Sequence, residues 1–330
     1  MKTCISFSFL FLWLSGILYS QQVTITFPIL TGDYLGQKKP EMTSTIFAPN
    51  IVSTCLEELN SVFYPDGNEF YFSVHNPDFS TVFVIIKDKG SWNKPEPLSF
   101  TSKYSDIDVS VSPDGQTLFF CSNRPISGKG EPKKDHDIWF CKREANSWGK
   151  PIPLGEEINS DKEDFYPVVS KNGTLYFNSQ REGEGTNDIY MSKFIDGKYS
   201  KAEKLNKAIN SEYREFDAYI EPDEKFIIFA SDRPENNGRG DLYISFKNED
   251  GTWAAAKNMG TTINGVGPEF SPYLSPDGKY LFYTRQTWTP ITDIKEPLTY
   301  DYFIRAHNSY DNLSTNIWWI DSKIIEELKK

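Results

Sequence analysis

Histidine, cysteine, positive charge and long apolar runs are all scarce in this chain, and each scarcity removes a class of function. Only three histidines occur in 330 residues, His75, His136 and His307, in separate loops and at spacings that match no metal motif. His136 sits in the charged run KKDHD, where a solvated imidazole is expected. There is no G-x-S-x-G elbow and no α/β half after the repeats described below, which argues against a peptidase of the prolyl-oligopeptidase kind. The runs GKGE (128–131), GEG (183–185) and NNGRG (236–240) contain glycine but lead into no helix whose N-terminus could cradle phosphate. Past residue 20 no segment approaches the roughly 18 uninterrupted apolar residues that a membrane helix requires. With 35 Lys and Arg against 46 Asp and Glu, the net charge of −11 argues against nucleic acid or an anionic lipid surface as partner. The same charge is compatible with simple solubility, with a cationic ligand or with a metal ion.

Of four cysteines, Cys4 lies near the start and Cys55, Cys121 and Cys141 follow. An odd number after the leader excludes a complete disulfide framework. Cys121 and Cys141 end consecutive expected strands, so a cross-strand bridge and a pair of buried thiols are both open.

Residues 1–20 read as a secretory signal peptide, with Lys2 as the positive start, an apolar stretch from Ile5 to Leu18, and small Ser20 before Gln21 as the cleavage point. An uncleaved anchor is the rival reading. Cys4 precedes the apolar stretch, which does not match a lipoprotein anchor. Cleavage removes one lysine and moves the net charge from −11 to −12. The expected product is exported, periplasmic or extracellular. Its expected organisation is a 21–44 N-terminal segment followed by one domain over 45–330.

What the chain has in abundance is repetition. FYPDGNEFYF (63–72), VSPDGQTLFF (111–120), VSKNGTLYF (169–177), IEPDEKFIIF (220–229) and LSPDGKYLFY (274–283) share one strand–turn–strand pattern. Their turn residues Asp66, Asp114, Asn172, Asp223 and Asp277 are spaced 48 to 58 residues apart, a period typical of solenoids and propellers. After each second strand comes a polar cluster, then Asp-aliphatic-aromatic opening a third strand. Arg124 precedes DIW (137–139), Arg181 precedes DIY (188–190) and Arg233 precedes DLY (241–243). Arg285 pairs with NIW (316–318) after a longer loop, and the first copy has His75 and TVF (81–83) instead. A fourth segment is marked by SW (91–92), SW (147–148), KY (198–199) and TW (252–253). Alternating apolar strands rich in Phe, Tyr, Ile and Val, joined by Pro-Asp-Gly turns, fit half-buried antiparallel sheets. Four such strands per repeat make a propeller blade. The fifth copy stops after IWWIDSKII (317–325), while TIFAPNIVS (45–53) stands where a fourth strand is missing. An all-β, five-bladed propeller closed by its N-terminal strand is therefore expected. A six-bladed ring is the alternative, if residues 22–45 and the 286–315 insertion build one more blade.

These S-P-D-G-x-x-L-x-F cores and D-I-Y/W strands resemble the WD-repeat-like, TolB-type propellers of bacterial exported proteins, over nearly all of residues 45–325. The resemblance implies the fold. It leaves function open, because propellers of this type serve as binding scaffolds, partner domains and appendages of enzymes.

The turns also serve as a ruler. Eight residues before them stand Glu58, Asp106, Asp164, Glu215 and Glu269, all acidic. The position opens the innermost strand, on the face that carries the arginine loops. Two roles compete. Five carboxylates around the channel mouth would focus negative potential on a divalent cation or a cationic group, and no other cofactor is evident. Alternatively, these acids pair with Arg124, Arg181, Arg233 and Arg285, with Asp137, Asp188 and Asp241 as further structural pairing groups. Glu58, without an arginine, is the least constrained.

The insertion 286–315 adds Trp288, Tyr300 and His307 as candidate ligand-facing residues, since aromatic side chains on a polar loop stack on sugars or anchor proteins. The sequence thus points to a non-catalytic binding or scaffolding module for a cell-envelope protein, a glycan or a small cationic ligand. The competing class is a carbohydrate-active hydrolase or lyase using two carboxylates at the mouth. Equivalence of the acids weighs against it, because an acid and a nucleophile need unlike environments.

Overall fold

A computed structural model of the protein describes residues 27–329, apart from 77, 102, 184, 235–239, 288–295 and 311–313. Residues 1–20, read above as a signal peptide, and Trp288 lie outside the described residues. The five repeats form five antiparallel sheets arranged as a propeller. The inner strands are Glu57–Phe63, Asp106–Val111, Asp164–Val169, Glu215–Ile220 and Glu269–Leu274. The second strands, Glu69–His75, Thr117–Ser122, Leu175–Ser179, Phe226–Ser231 and Tyr280–Gln286, return across the tight turns. Third strands follow at Ser80–Asp88, Asp137–Glu144, Asp188–Ser192, Asp241–Phe246 and Thr315–Asp321. Short fourth strands complete four blades at Glu96–Pro97, Ile152–Pro153, Glu203–Lys204 and Lys257–Asn258.

In the fifth blade the fourth strand is Thr45–Ile46, antiparallel to the third, with Thr45 opposite Trp319 and Ile46 opposite Trp318. The ring thus closes through the N-terminal segment, and the blade count is five. The residues available for a sixth blade are used otherwise. Tyr300–His307 of the insertion form a helix, α1. Leu30–Thr31 add to the hairpin strand Ser91–Trp92 at the rim of the first blade. From there a single 3-10 turn, Tyr34–Gly36, drops between the first and last blades. Gly36 has φ +69 and a Cβ there would lie 2.4 Å from the Thr31 carbonyl oxygen, so only glycine fits. Tyr34 donates to Asp277 Oδ1 at 2.6 Å, tying this segment to the last blade's turn. The C-terminal helix α2, Lys323–Lys329, packs Ile324 and Ile325 against the fourth and fifth blades.

Each blade buries its apolar faces against its neighbours, so the core is divided into five clusters, one per interface. The closing interface is aromatic: Phe47, Phe63, Phe282 and Trp319 meet with ring centroids 5.1–6.3 Å apart. This partition also decides the cysteine question. In the second blade Cys121 faces Ile138 and Cys141 faces Leu118, an odd offset of three residues along the third strand. Alternation therefore sends the two sulfurs to opposite sides of the sheet, and they form no bridge. Cys141 joins the core shared with the first blade and Cys121 the core shared with the third.

The tight turns adopt the expected geometry, with Gly67, Gly115, Gly173 and Gly278 at positive φ. The fourth turn places Glu224 there, at φ 59. That carboxylate accepts from Ser170 Oγ at 2.9 Å and Asn172 Nδ2 at 3.0 Å, and pairs with Lys247 at 2.5 Å. The departure from glycine thus links the third turn to the fourth.

Candidate functional site

Each inner strand carries the same irregularity. Its ladder slips between Leu59 and Ser61, Ile107 and Ser110, Phe165 and Val168, Phe216 and Tyr219, and Phe270 and Tyr273. At each slip one non-glycine residue has a positive φ: Asn60 (53°), Asp108 (55°), Tyr166 (51°), Asp217 (51°) and Ser271 (49°). A β-bulge of this kind re-aims side chains, so the residues before and after it no longer share a face.

The five acids stand just before the bulges. They are fully buried, and none is open to solvent. Four turn onto the arginine of their own blade: Arg124–Asp106 at 2.6 Å, Arg181–Asp164 at 3.0 Å, Arg233–Glu215 at 3.3 Å and Arg285–Glu269 at 2.7 Å. Three of these guanidinium groups also donate to a backbone carbonyl, Ile158, Ile209 or Ile263. All four lie over aromatic rings, among them Trp139, Tyr190, Tyr243 and Trp318. A buried carboxylate paired with a planar cation forms a lock, and their charges cancel locally. Burial still pushes Asp106, Asp164 and Glu269 upward against the arginines, Glu269 to about 7. Glu58 lacks an arginine and takes the backbone N–H of Thr54 at 3.0 Å and its hydroxyl instead. Burial raises it to about 7.

The third-strand acids are held in their own ways. Asp137 pairs with Lys133, Asp188 with Lys204 at 2.8 Å, and Asp241 accepts from Asn258 at 2.9 Å. Among the described residues no group of three or more His, Cys, Asp or Glu side chains gathers to hold a metal ion. His136 is half-buried, its Nδ1 3.1 Å from Glu163 Oε2 and its ring beside Phe165. Tyr300 and His307 lie on α1, both exposed.

Two features escape a reading of the sequence by its acids. The first is a structural asparagine. Asn159, Asn210 and Asn264 each accept from the N–H, and donate to the C=O, of the residue after the third-strand acid, Ile138, Ile189 and Leu242. Ser53 bridges Ile317 likewise in the closing blade. The signal was present as I-N-S, I-N-S and I-N-G at 158–160, 209–211 and 263–265. The second is the bulge position itself, six residues before each turn. Asn60, Asp108 and Tyr166 line a cavity of about 370 Å³ on the propeller axis, which Pro65, Pro113, Pro222 and Pro276 rim on the turn face. The sequence signal was a polar residue set among apolar ones, as in I-D-V (107–109) and F-D-A (216–218). The turn face, expected to be only structural, is the side on which this cavity lies.

Asp108 and Asp217 hold equivalent bulge positions in the second and fourth blades, and burial holds both carboxyls above the ordinary range, Asp108 further so through the charge of Asp217. Asp217 accepts from the Ser271 N–H at 3.2 Å and hydroxyl at 2.9 Å. Tyr166 reaches from the third blade to the fifth, donating to the Pro272 carbonyl at 2.9 Å.

Among the described residues no helix is long and apolar enough to cross a membrane. No family model matches the chain, and no curated protein matches it. Solved structures do. A protein described as TolB from Agrobacterium tumefaciens is 17% identical, with a TM-score of 0.46 and 73% of each chain covered. TolB from Acinetobacter baumannii is 14% identical with a TM-score of 0.45, over 81% of this chain and 55% of that one. An α-L-arabinofuranosidase from Lactobacillus brevis is 12% identical with a TM-score of 0.44, over 82% and 91%. The chain is a five-bladed β-propeller of four-stranded sheets, and TolB-type propellers are among its structural neighbours.

Proposed function

We propose that this chain is an exported, non-catalytic binding module that presents its loop face to a protein of the cell envelope. The observation that carries the reading is the apolar surface of that face. Leu56, Phe79, Ile126, Tyr213 and Val266 are exposed in the loops that enter the inner strands or join second to third strands. On the same face, α1 leaves Tyr300, Phe303 and Ile304 exposed by 80, 56 and 44%. Positions i, i+3 and i+4 share one side of a helix, so these three form a stripe that no other described residue buries. Aromatic anchors displayed in this way are the usual energetic centres of protein interfaces. The leader pattern of residues 1–20 supports export.

The hydrolase reading asks for two accessible carboxylates of unlike protonation, about 5–10 Å apart. The ring acids are buried beneath arginine or threonine partners, an arrangement that favours the scaffold reading.

The test is site-specific photo-crosslinking from position 300 in the producing cell, with and without Phe303→Ser and Ile304→Ser. A discrete protein adduct, lost in the double variant while its melting temperature stays unchanged, is the expected result. An adduct that persists through both substitutions, or none formed, overturns the assignment of this face.

A further inference from the structure

The axial cavity on the turn face is far from the apolar loop surface and differs from it in chemistry. Its lining includes two hydrogen-bond acceptors, Asn60 and Asp108. Asn60 is 2% exposed, yet its Oδ1 has no hydrogen-bond partner, and the residue lines the cavity. A buried amide oxygen left without a donor has lost its water and gained nothing in return, so the fold is destabilised by this group. Asp108 lines the same cavity and is 7% exposed. The charge of Asp217, at the equivalent bulge position of the fourth blade, acts on it.

The walls around these acceptors are aromatic and aliphatic: Tyr166, Tyr219, Tyr273, Val62 and Val168. Tyr219 and Tyr273 meet edge to face at 5.9 Å. Acceptors at the centre and π-faces around them complement a donor-rich cation with an apolar body. An ammonium group brings three N–H donors and a charge that aromatic rings attract. The charge of Asp217 opposes ionisation of Asp108, and a cation beside Asp108 relieves that repulsion. A calcium ion would ask for six to eight oxygens, about twice what these side chains offer, and magnesium for a strict octahedron. The cavity volume, about 370 Å³, is that of a small-molecule pocket rather than an ion cage.

We propose that the axial channel, entered between the Pro-Asp-Gly turns, binds a small primary ammonium compound, with its head on Asp108 and Asn60 Oδ1 and its body among Tyr166, Tyr219 and Tyr273. This site is independent of the protein-binding face, and either can fail without the other.

The probe is 4-fluorobenzylamine, protonated at pH 7.5, titrated into the protein and followed by fluorine NMR, with 4-fluorobenzyl alcohol as its neutral counterpart. Saturable binding of the amine at least tenfold tighter than the alcohol is expected. Asp108→Asn weakens it at least tenfold, and Asn60→Ala weakens it by a smaller factor; either variant suffices if the other does not fold. The double substitution of Phe303 and Ile304 leaves amine binding unchanged. Equal binding of amine and alcohol, full affinity in Asp108→Asn, or displacement of the amine by micromolar calcium or magnesium each overturns the proposal, the last by making this a metal site.

Discussion

Two belts of residues run around the propeller axis, two positions apart on the same strands, and they follow opposite rules. The belt eight residues before the turns is uniform: Glu58, Asp106, Asp164, Glu215 and Glu269. The belt six residues before is mixed: Asn60, Asp108, Tyr166, Asp217 and Ser271. Four of the uniform belt's five acids are sealed into arginine locks, and Glu58 is sealed by Thr54 instead. The mixed belt holds four residue types in five positions, and three of its members, Asn60, Asp108 and Tyr166, line the axial cavity. In a ring of repeats, sameness therefore marks the joints of the scaffold. Difference marks where a ligand is told apart from water.

The largest expected effect breaks a lock. Arg124→Met strands Asp106 as an uncompensated buried charge, and urea unfolding should show a loss of about 3–5 kcal/mol. Adding Asp106→Asn should restore most of it, because the penalty belongs to the orphaned charge. A lock that is worth nothing would leave both variants at wild-type stability.

A smaller effect comes from the one uniform position without an arginine. Burial raises Glu58 from 4.5 to about 7. Between those values the folded protein holds a proton that the unfolded chain has released, so this group's contribution to stability falls as pH rises through the window. Glu58→Gln removes that term. The loss of stability between pH 5 and pH 8 should shrink in the variant by an amount on the order of 2 kcal/mol. An unchanged or steeper decline would show that Glu58 is solvated and ionised.

The smallest effect is expected in the mixed belt. Ser271→Gly gives up one hydrogen bond to Asp217 but frees a residue held at φ 49°. The two terms oppose, and the net change should stay within about 1 kcal/mol. A loss comparable with that of Arg124→Met would erase the distinction between the belts.

The blades were legible because strand alternation and turn chemistry are local and repeat five times. Closure was legible too, since Thr45–Ile46 fill a gap that the fifth repeat leaves open. The direction of the acids was not. In a regular strand residues 58 and 60 would share a face, and the acids would line the channel. The bulge between them reverses that, and no glycine announces it, because Asn, Asp, Tyr, Asp and Ser accept the left-handed conformation at about 1–2 kcal/mol each. The helix α1 was hidden for a different reason: its residues repeat nowhere else in the chain, so the turn ruler had nothing to measure them against.

The clasp between Thr45–Ile46 and Thr315–Asp321 joins residues about 270 apart in sequence, and the Tyr34–Asp277 hydrogen bond joins residues 243 apart. During synthesis the early half of this joint leaves the ribosome long before its mate exists. Until the last strand arrives, the first blade shows the aromatic side meant for Trp319, and the fifth has an unpaired edge that any extended peptide can join. The ring is thus assembled blade by blade but secured only once. However early the first blades are made, the buckle that shuts the ring can fasten only when the final strand exists.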